Sequence, residues 1–312
     1  MNHLEVDLNV PPSDRWRLTS EQAAQARQLL NSYLADLGGI DDFVDLLGLY
    51  AASYVPMAHL REIEALASQI DCSREEALLV NLYYDAVKMI FGCTAFAVDT
   101  PEGPLLARNL DWWTENSMLA RFTAVTAFHQ DQRPFITVGW PGFVGALSGV
   151  AAGRFAVTLN AVLSEEPVQM ATPISLYIRT VLEEAETYAQ AVDMLAQEPI
   201  VSDCLLLVCG TKPGEMVVIE RTPTRAALRK PEDGYIAVTN TYRLLNSVMV
   251  TPGTLAATTD ARFETTCARL EAKLPTTPDT CFEILEAVRL PITVQQMVLR
   301  PSDGTALVRP AG

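Results

Sequence analysis

Cys93 stands directly after Gly92, and Arg108 and Asp111 follow within the reach of a single hairpin. A thiol becomes a strong nucleophile once ionised, so some group must take its proton. The chain offers only His3, His59 and His129, none beside a Ser or Cys in a recognisable nucleophile motif. A cysteine that begins a chain needs no histidine, because an α-amine with a pKa of about 7.7–8.0 accepts the thiol proton near neutrality. Gly92 presents an unhindered carbonyl. Attack on it by the Cys93 thiol converts the peptide bond to a thioester, whose hydrolysis frees Cys93 as a new N-terminus.

Arg108 and Asp111 belong to a strand that a hairpin returns beside the Cys93 strand. There Asp111 can orient the new amine, and Arg108 can stabilise a thiolate and developing negative charge. Asn160 and Asn240 close the stretches Val157 to Asn160 and Ala237 to Asn240. Asn at a strand end commonly makes a turn, and its amide also suits an oxyanion hole. Arg262, following Asp260 at a helix start, reads by itself as a solvated charge. Trp112 and Trp140 join Asn160 as candidate substrate contacts.

Competing chemistries lack their residues. Gly145 to Gly149 has the wrong spacing for a nucleophile elbow, and there is no Walker loop and no His-Glu-x-x-His. The six cysteines (72, 93, 204, 209, 267 and 281) form no Cys-x-x-Cys pair. Cys204 and Cys209 read as small core residues on opposite faces of one strand. No metal and no organic cofactor is called for.

These groups must be positioned by a folded chain. With 312 residues, 49% of them hydrophobic and 20% charged, the sequence suits one large mixed domain or two small ones. A net charge of −15 argues against nucleic acid and against a polybasic membrane patch. Phe143 to Leu163 is the best apolar run, but Ser148, Gly149, Gly153, Arg154 and Asn160 break it, so no integral membrane segment is expected. Met1 to Trp16 is polar and acidic and has no cationic stretch before an apolar core, which gives the expectation of a cytoplasmic protein.

Residues 1–92 read as mostly helical. Thr19 to Gln22 and Ser73 to Glu76 are capping boxes, and helices are expected to stop at Gly38-Gly39 and at Gly92. A further helix covers about Asp41 to Tyr54 and another Pro56 to Ile70. The strand beginning at Cys93 is expected after a bend, with a turn at Asp99 to Gly103 and the return at Leu105 to Leu110. More strands are predicted at Arg121–His129, Pro134–Trp140, Phe143–Ser148, Phe155–Asn160, Cys204–Cys209, Met216–Arg221, Ala226–Lys230 and Tyr235–Thr239. Helices begin at Thr172-Pro173, Thr187, Asp260 and Thr277, and a last hairpin joins Thr293–Arg300 to Thr305–Arg309. The order points to an α+β fold with two antiparallel sheets between helical layers.

Taken in order, several segments resemble the acid ceramidase and N-acylethanolamine acid amidase family of N-terminal-nucleophile (Ntn) hydrolases. More distantly, the chain is similar to choloylglycine hydrolases and isopenicillin-N acyltransferase. The segments are Val6 to Trp16, Asn81 to Tyr84, Cys93-Thr94, Arg108 to Trp112, Pro141 to Gly149, Phe155 to Asn160, Val238 to Asn240, Asp260 to Arg262 and the hairpin from Thr293. The resemblance implies an αββα sandwich and self-cleavage between Gly92 and Cys93. Residues 1–92 and 93–312 would then stay associated as two subunits. It makes Cys93 the nucleophile, Arg108 and Asp111 its charged partners, Asn240 the oxyanion donor and Arg262 a supporting residue. Ala161-Val162 depart from the Glu-Arg that often follows Asn160 in the family. The activity implied is hydrolysis of a linear amide in a small N-acyl substrate. The alternatives are acyl transfer to an amine and a catalytically silent binding protein; homo-oligomerisation stays open.

Overall fold

Two patterns of apolar residues, one of period two and one of helical period, generate the layers. The computed structural model describes residues 1–37, 44–87, 91–113, 117–247 and 255–311. In chain order it contains β1 (Asn2–Asp7), α1 (Ser20–Leu37), α2 (Val44–Tyr54), α3 (Met57–Gln69), α4 (Arg74–Val87), β2 (Phe91–Val98), β3 (Leu105–Trp112) and the short α5 (Met118–Arg121). There follow β4 (Ala124–His129), β5 (Phe135–Gly139), β6 (Ser148–Ala151), β7 (Phe155–Ala161), α6 (Ile174–Glu184) and α7 (Tyr188–Gln197). The chain continues through β8 (Cys204–Cys209), β9 (Met216–Arg221), β10 (Ala226–Arg229), β11 (Tyr235–Val238), α8 (Thr259–Ala272), α9 (Pro278–Ala287), β12 (Thr293–Arg300) and β13 (Thr305–Pro310).

The larger sheet has the order β1-β4-β5-β6-β7-β8-β9-β10, and the smaller one β11-β2-β3-β12-β13. Their facing sides share one core, in which Ala95, Ala97 and Leu106 of the small sheet join Val150, Ala156, Leu205 and Leu207 of the large one. Because strand side chains alternate, Phe96, Val98 and Ala107 point the other way. They pack with Leu270, Phe282 and Leu285 of α8 and α9. Leu159, Leu206 and Val208 on the outer side of the large sheet belong to one cluster with α6 and α7 residues such as Ile178, Leu182 and Leu195. The result is the expected helix–sheet–sheet–helix sandwich. Cys204 and Cys209 fall in different core clusters, as opposite faces require.

Helix starts follow local chemistry. Thr19 and Gln22 bond reciprocally before α1, as do Ser73 and Glu76 before α4. Thr277 caps α9 with Pro278 in its first turn.

Four expectations are corrected. The N-terminal segment is not helical throughout: β1 buries Leu4 and Val6, exposes Glu5 and Asp7, and runs parallel to β4. Among the described residues the other pairings of named strands are antiparallel, and one isolated bridge, Thr172 with Ile200, is also parallel. Second, Phe143 to Leu147 is not a strand. Its backbone bonds elsewhere: Val144 N to the Asn81 side chain and Ala146 N to Ser175 O. Third, Pro173 rather than Thr172 occupies the cap of α6, and no side chain caps it. Fourth, Gly92 and Cys93 both lie inside β2, so the strand runs through the bond where a bend was expected. The expected stop at Gly38-Gly39, and residues 41–43 and 88–90 of the neighbouring helices, lie outside the described residues.

Candidate active site

The β2–β3 hairpin sets Gly92 opposite Asp111, Cys93 opposite Leu110 and Ala95 opposite Arg108. Diagonal neighbours on one face of such a pair are within reach of long side chains. Arg108 Nη2 accordingly donates to Cys93 Sγ at 3.3 Å. The guanidinium is fully buried between the sheets. Its Nη1 donates to Leu147 O at 2.7 Å and to Ser148 Oγ, and its Nη2 also donates to Leu159 O. Backbone carbonyls thus aim a permanent positive charge at the sulfur.

A second set of bonds holds the backbone of Cys93. Its nitrogen donates to Asn240 Oδ1 at 2.9 Å, and its carbonyl accepts from Arg262 Nη1 at 2.5 Å. In this structure the chain is continuous through Gly92 and Cys93. The Cys93 nitrogen is therefore a peptide N–H, standing where the α-amine of a cleaved chain would stand. Arg262, in the first turns of α8, also donates to Thr94 Oγ1 at 2.8 Å, to Asn240 Oδ1 at 2.8 Å and, through Nε, to Thr258 Oγ1 at 3.0 Å. Asn240 Nδ2 donates to Ala161 O at the end of β7, 2.8 Å away. The amide of Asn240 thereby links both strand ends to Cys93.

Asp111 is buried beside this set. Thr293, its partner across β12, donates to Asp111 Oδ1 at 2.6 Å. Arg262 Nη1 lies 4.0 Å from Oδ2, outside hydrogen-bond reach, and Oδ2 has no hydrogen-bond partner among the described residues. Burial pushes the Asp111 carboxyl above its ordinary pKa, opposed by the Thr293 bond and by Arg262 and Arg108. Burial also lowers the pKa of Arg262, against the attraction of Asp111 and Cys93. Ionisable groups kept out of water this way, beside a possible nucleophile, mark a candidate functional site.

Asn160 sits between Leu159 and Ala161, whose carbonyls hold Arg108 and Asn240. It is fully buried, and its Nδ2 donates to Thr239 O at 2.9 Å, while Oδ1 has no hydrogen-bond partner among the described residues. Trp112 and Trp140 meet edge to face at 5.4 Å, and Trp140 Nε1 donates to Leu119 O at 2.7 Å. With Tyr33 of α1, Tyr84 of α4, Phe143 and Leu147 they line a cavity of about 10 Å³, room for about one water. Leu147 belongs to both places, so this aromatic cavity adjoins the arginine that faces the thiol.

The structure brings Cys93, Arg108, Asp111, Asn240 and Arg262 together, with Asn160 beside them and the two tryptophans at the neighbouring cavity. Thr94, Ser148 and Thr293 lie in segments that carry the family resemblance, but sequence reasoning assigns no role to them or to the carbonyls of Leu147, Leu159 and Ala161, because a strand threonine or a carbonyl gives no sequence signal. Among the described residues no group of His, Cys, Asp and Glu converges to hold a metal, and no helix is long and apolar enough to cross a membrane.

Comparison with known proteins gives a consistent result. The family model for acyl-coenzyme A:6-aminopenicillanic acid acyl-transferase matches residues 98–297. Acid ceramidase of Balaenoptera acutorostrata scammoni is 28% identical over 250 residues, 69% of this chain and 62% of that protein. N-acylethanolamine-hydrolyzing acid amidase of Mus musculus is 30% identical over 238 residues, again 69% of this chain and 62% of that protein. The alignment thus spans less than two thirds of either relative. A solved Caenorhabditis elegans ortholog of that amidase superposes with a TM-score of 0.57 at 24% identity, covering 67% of this chain and 93% of the other. A mutant conjugated bile acid hydrolase of Clostridium perfringens gives 0.51 at 12% identity, over 70% of this chain and 89% of that one. Both structures share the fold.

Proposed function

Since the chain belongs to the acyl-coenzyme A:6-aminopenicillanic acid acyl-transferase family, within the Ntn-hydrolase group, we propose that it is a self-cleaving cysteine amidase for linear N-acyl amides. The observation that carries this reading is the dual grip on Cys93. Arg108 faces its sulfur, while Asn240 and Arg262 hold its nitrogen and carbonyl.

In the self-cleavage step, Cys93 Sγ adds to the Gly92 carbonyl carbon. The C–N bond breaks, the thiol proton goes to the departing nitrogen, and a thioester remains. Water then hydrolyses it to the Gly92 carboxylate, a free thiol and a free amine. In turnover the amine takes the thiol proton, the sulfur attacks the acyl carbonyl, and the protonated amine gives its proton to the leaving nitrogen. In this reading the second N–H of the Asn240 amide, whose Nδ2 also donates to Ala161 O, serves the oxyanion, and Arg108 balances charge at sulfur. A second water releases the acid. The residues lining the cavity beside Arg108 are uncharged, which suits an apolar acyl group such as that of a ceramide, an N-acylethanolamine or an N-acyl amino acid; at about 10 Å³ the cavity holds about one water, so an acyl chain would enter only as that lining parts.

The test is fragment mass on incubation, followed by turnover of a panel of N-acyl amides. The reading requires pieces ending at Gly92 and beginning at Cys93, and an uncut, inactive Cys93→Ala variant. Cutting of that variant at the same bond would reject self-cleavage by this thiol. The matching family is described as an acyl-transferase, which favours a second reading with an amine in place of water as acceptor. Partition of product between acid and new amide, with amines added, decides between them.

A further inference from the structure

β9 reads Met216-Val-Val-Ile-Glu-Arg221, and Glu220 shares the inner face of the large sheet with Met216 and Val218. It is fully buried. A carboxylate in the seam between two sheets is unfavourable unless its oxygens are met by donors. They are met by one short piece of backbone. Glu220 Oε1 accepts from Arg243 N at 2.8 Å, and Oε2 accepts from Leu244 N at 2.8 Å and Leu245 N at 2.9 Å. Arg229 Nε stands 4.0 Å from Oε1. Three successive N–H groups converging on one anion form a rigid bonded unit.

The segment so gripped begins with Asn240. On its near side, Asn240 N donates to Thr259 Oγ1 at 2.9 Å. On its far side, besides Glu220, the Tyr242 hydroxyl donates to the carbonyl of Arg221, the next residue of β9. The side chains of Arg243 and Leu244 are exposed. Tyr242 and Leu245 pack against the core between the sheets, and the backbone N–H groups of 243–245 are held by Glu220 of β9. Glu220 belongs to the large sheet, whereas Asn240 extends from the small one and reaches Cys93. Their spacing is set by the loop between.

We propose that Glu220 is a positioning residue, which holds the loop after β11 so that the Asn240 amide stays in register with Cys93. The inference rests on the amidase reading, in which Asn240 serves the Cys93 chemistry. Misplacement of a reacting group by about 1 Å can lower a rate about 100-fold.

The experiment compares wild type, Glu220→Gln, Asn240→Ala and the double variant in hydrolysis of N-acyl amides, with melting curves and amide hydrogen exchange on each. Glu220→Gln keeps the shape but turns an NH₂ toward backbone donors. It should lower kcat by about tenfold or more while KM stays within about twofold, and speed exchange at 243–245 selectively. Added to Asn240→Ala it should cause no further loss, because it acts through that side chain. A folded Glu220→Gln protein with wild-type kcat, unchanged exchange at 243–245, or losses that multiply in the double variant would each overturn the proposal. If Glu220→Gln does not fold, Tyr242→Phe releases the second tether and should lower kcat in the same non-additive way; wild-type kcat there counts against it. Wild type that turns over no amide and whose Cys93 takes no acyl probe rejects the amidase reading instead, and hydrogen exchange still reports on the tether.

Discussion

The side-chain oxygen of Asn240 accepts a hydrogen bond from the Cys93 nitrogen at 2.9 Å. The same oxygen accepts from Arg262 Nη2 at 2.8 Å, so a single amide orients the proposed base and joins it to a buried cation. An amine whose N–H is fixed in this way has its lone pair direction set relative to the thiol.

Asn240→Asp separates the two ends of that amide. Aspartate retains an acceptor for the Cys93 nitrogen but loses the donor proposed for the oxyanion. Turnover should fall about 100- to 1000-fold, the range for removing one oxyanion donor, while self-cleavage persists. Asn240→Ala removes both ends of the amide and should slow self-cleavage as well as turnover, leaving a measurable residue of each. Fragment masses and initial rates on the same samples check this, and equal turnover in Asn240→Asp and wild type would remove Asn240 from the oxyanion role.

Arg108→Met leaves the carbonyls of Leu147 and Leu159 and the Ser148 hydroxyl without the donor that now meets them. The expected loss of stability is about 1–3 kcal/mol for each acceptor left unmet, measured by urea unfolding. Arg108→Lys keeps the charge but not the fork. It should destabilise less and still slow alkylation of Cys93 at neutral pH.

Asp111 gives a prediction with a definite sign. Its carboxyl is pushed up by burial, with Thr293, Arg262 and Arg108 opposing. A raised carboxyl pKa means that this residue's contribution to stability is largest below the unfolded value and declines as pH rises through the folded one. Asp111→Asn removes that decline. The melting temperature of the variant should therefore gain on wild type from about pH 4 upward, while turnover is lost. A pH-independent difference in melting temperature would show that Asp111 is not held this way.

Glu183 behaves in the opposite sense. Burial raises its pKa, but Arg179 and His59 outweigh that and hold it at about 2, from an ordinary 4.5. Its contribution is present above the unfolded value and is lost as pH falls toward the folded one. Glu183→Gln should flatten the stability profile between pH 4.5 and about 2, leaving the neutral-pH cleavage site intact. Acid titrations followed by circular dichroism would expose a contrary result.

What was legible in the sequence is what local chemistry decides. The boxes at Thr19 and Ser73, and the Thr277-Pro278 start, bond within one turn and need no tertiary partner. Cys204–Cys209 was readable because an unbroken apolar run buried on both faces has little alternative, and Met216–Arg221 through its β-branched stretch Val217 to Ile219. β1 was not, since its alternation is short and its partner β4 lies far along the chain. Phe143 to Leu147 is apolar enough for a strand, yet its backbone is met by Asn81 and Ser175 from other elements. The reacting residue types could be named in advance. That Arg108 would meet the sulfur and Arg262 the carbonyl depended on strand register and on where α8 begins, neither of which spacing along the chain encodes.

The placement of β1 bears on what would follow if the chain is cut as proposed. Asn2 to Asp7 form a ladder with Ala124 to His129, so an edge strand of the large sheet comes from the portion before Gly92. Buried Glu62 of that portion likewise meets Arg179 of the other. The two products of scission would be laced into a common sheet, and native gel filtration should elute them as one particle. Parting them would require denaturant, and the larger product alone would show an unpaired β4 edge prone to recruit another strand.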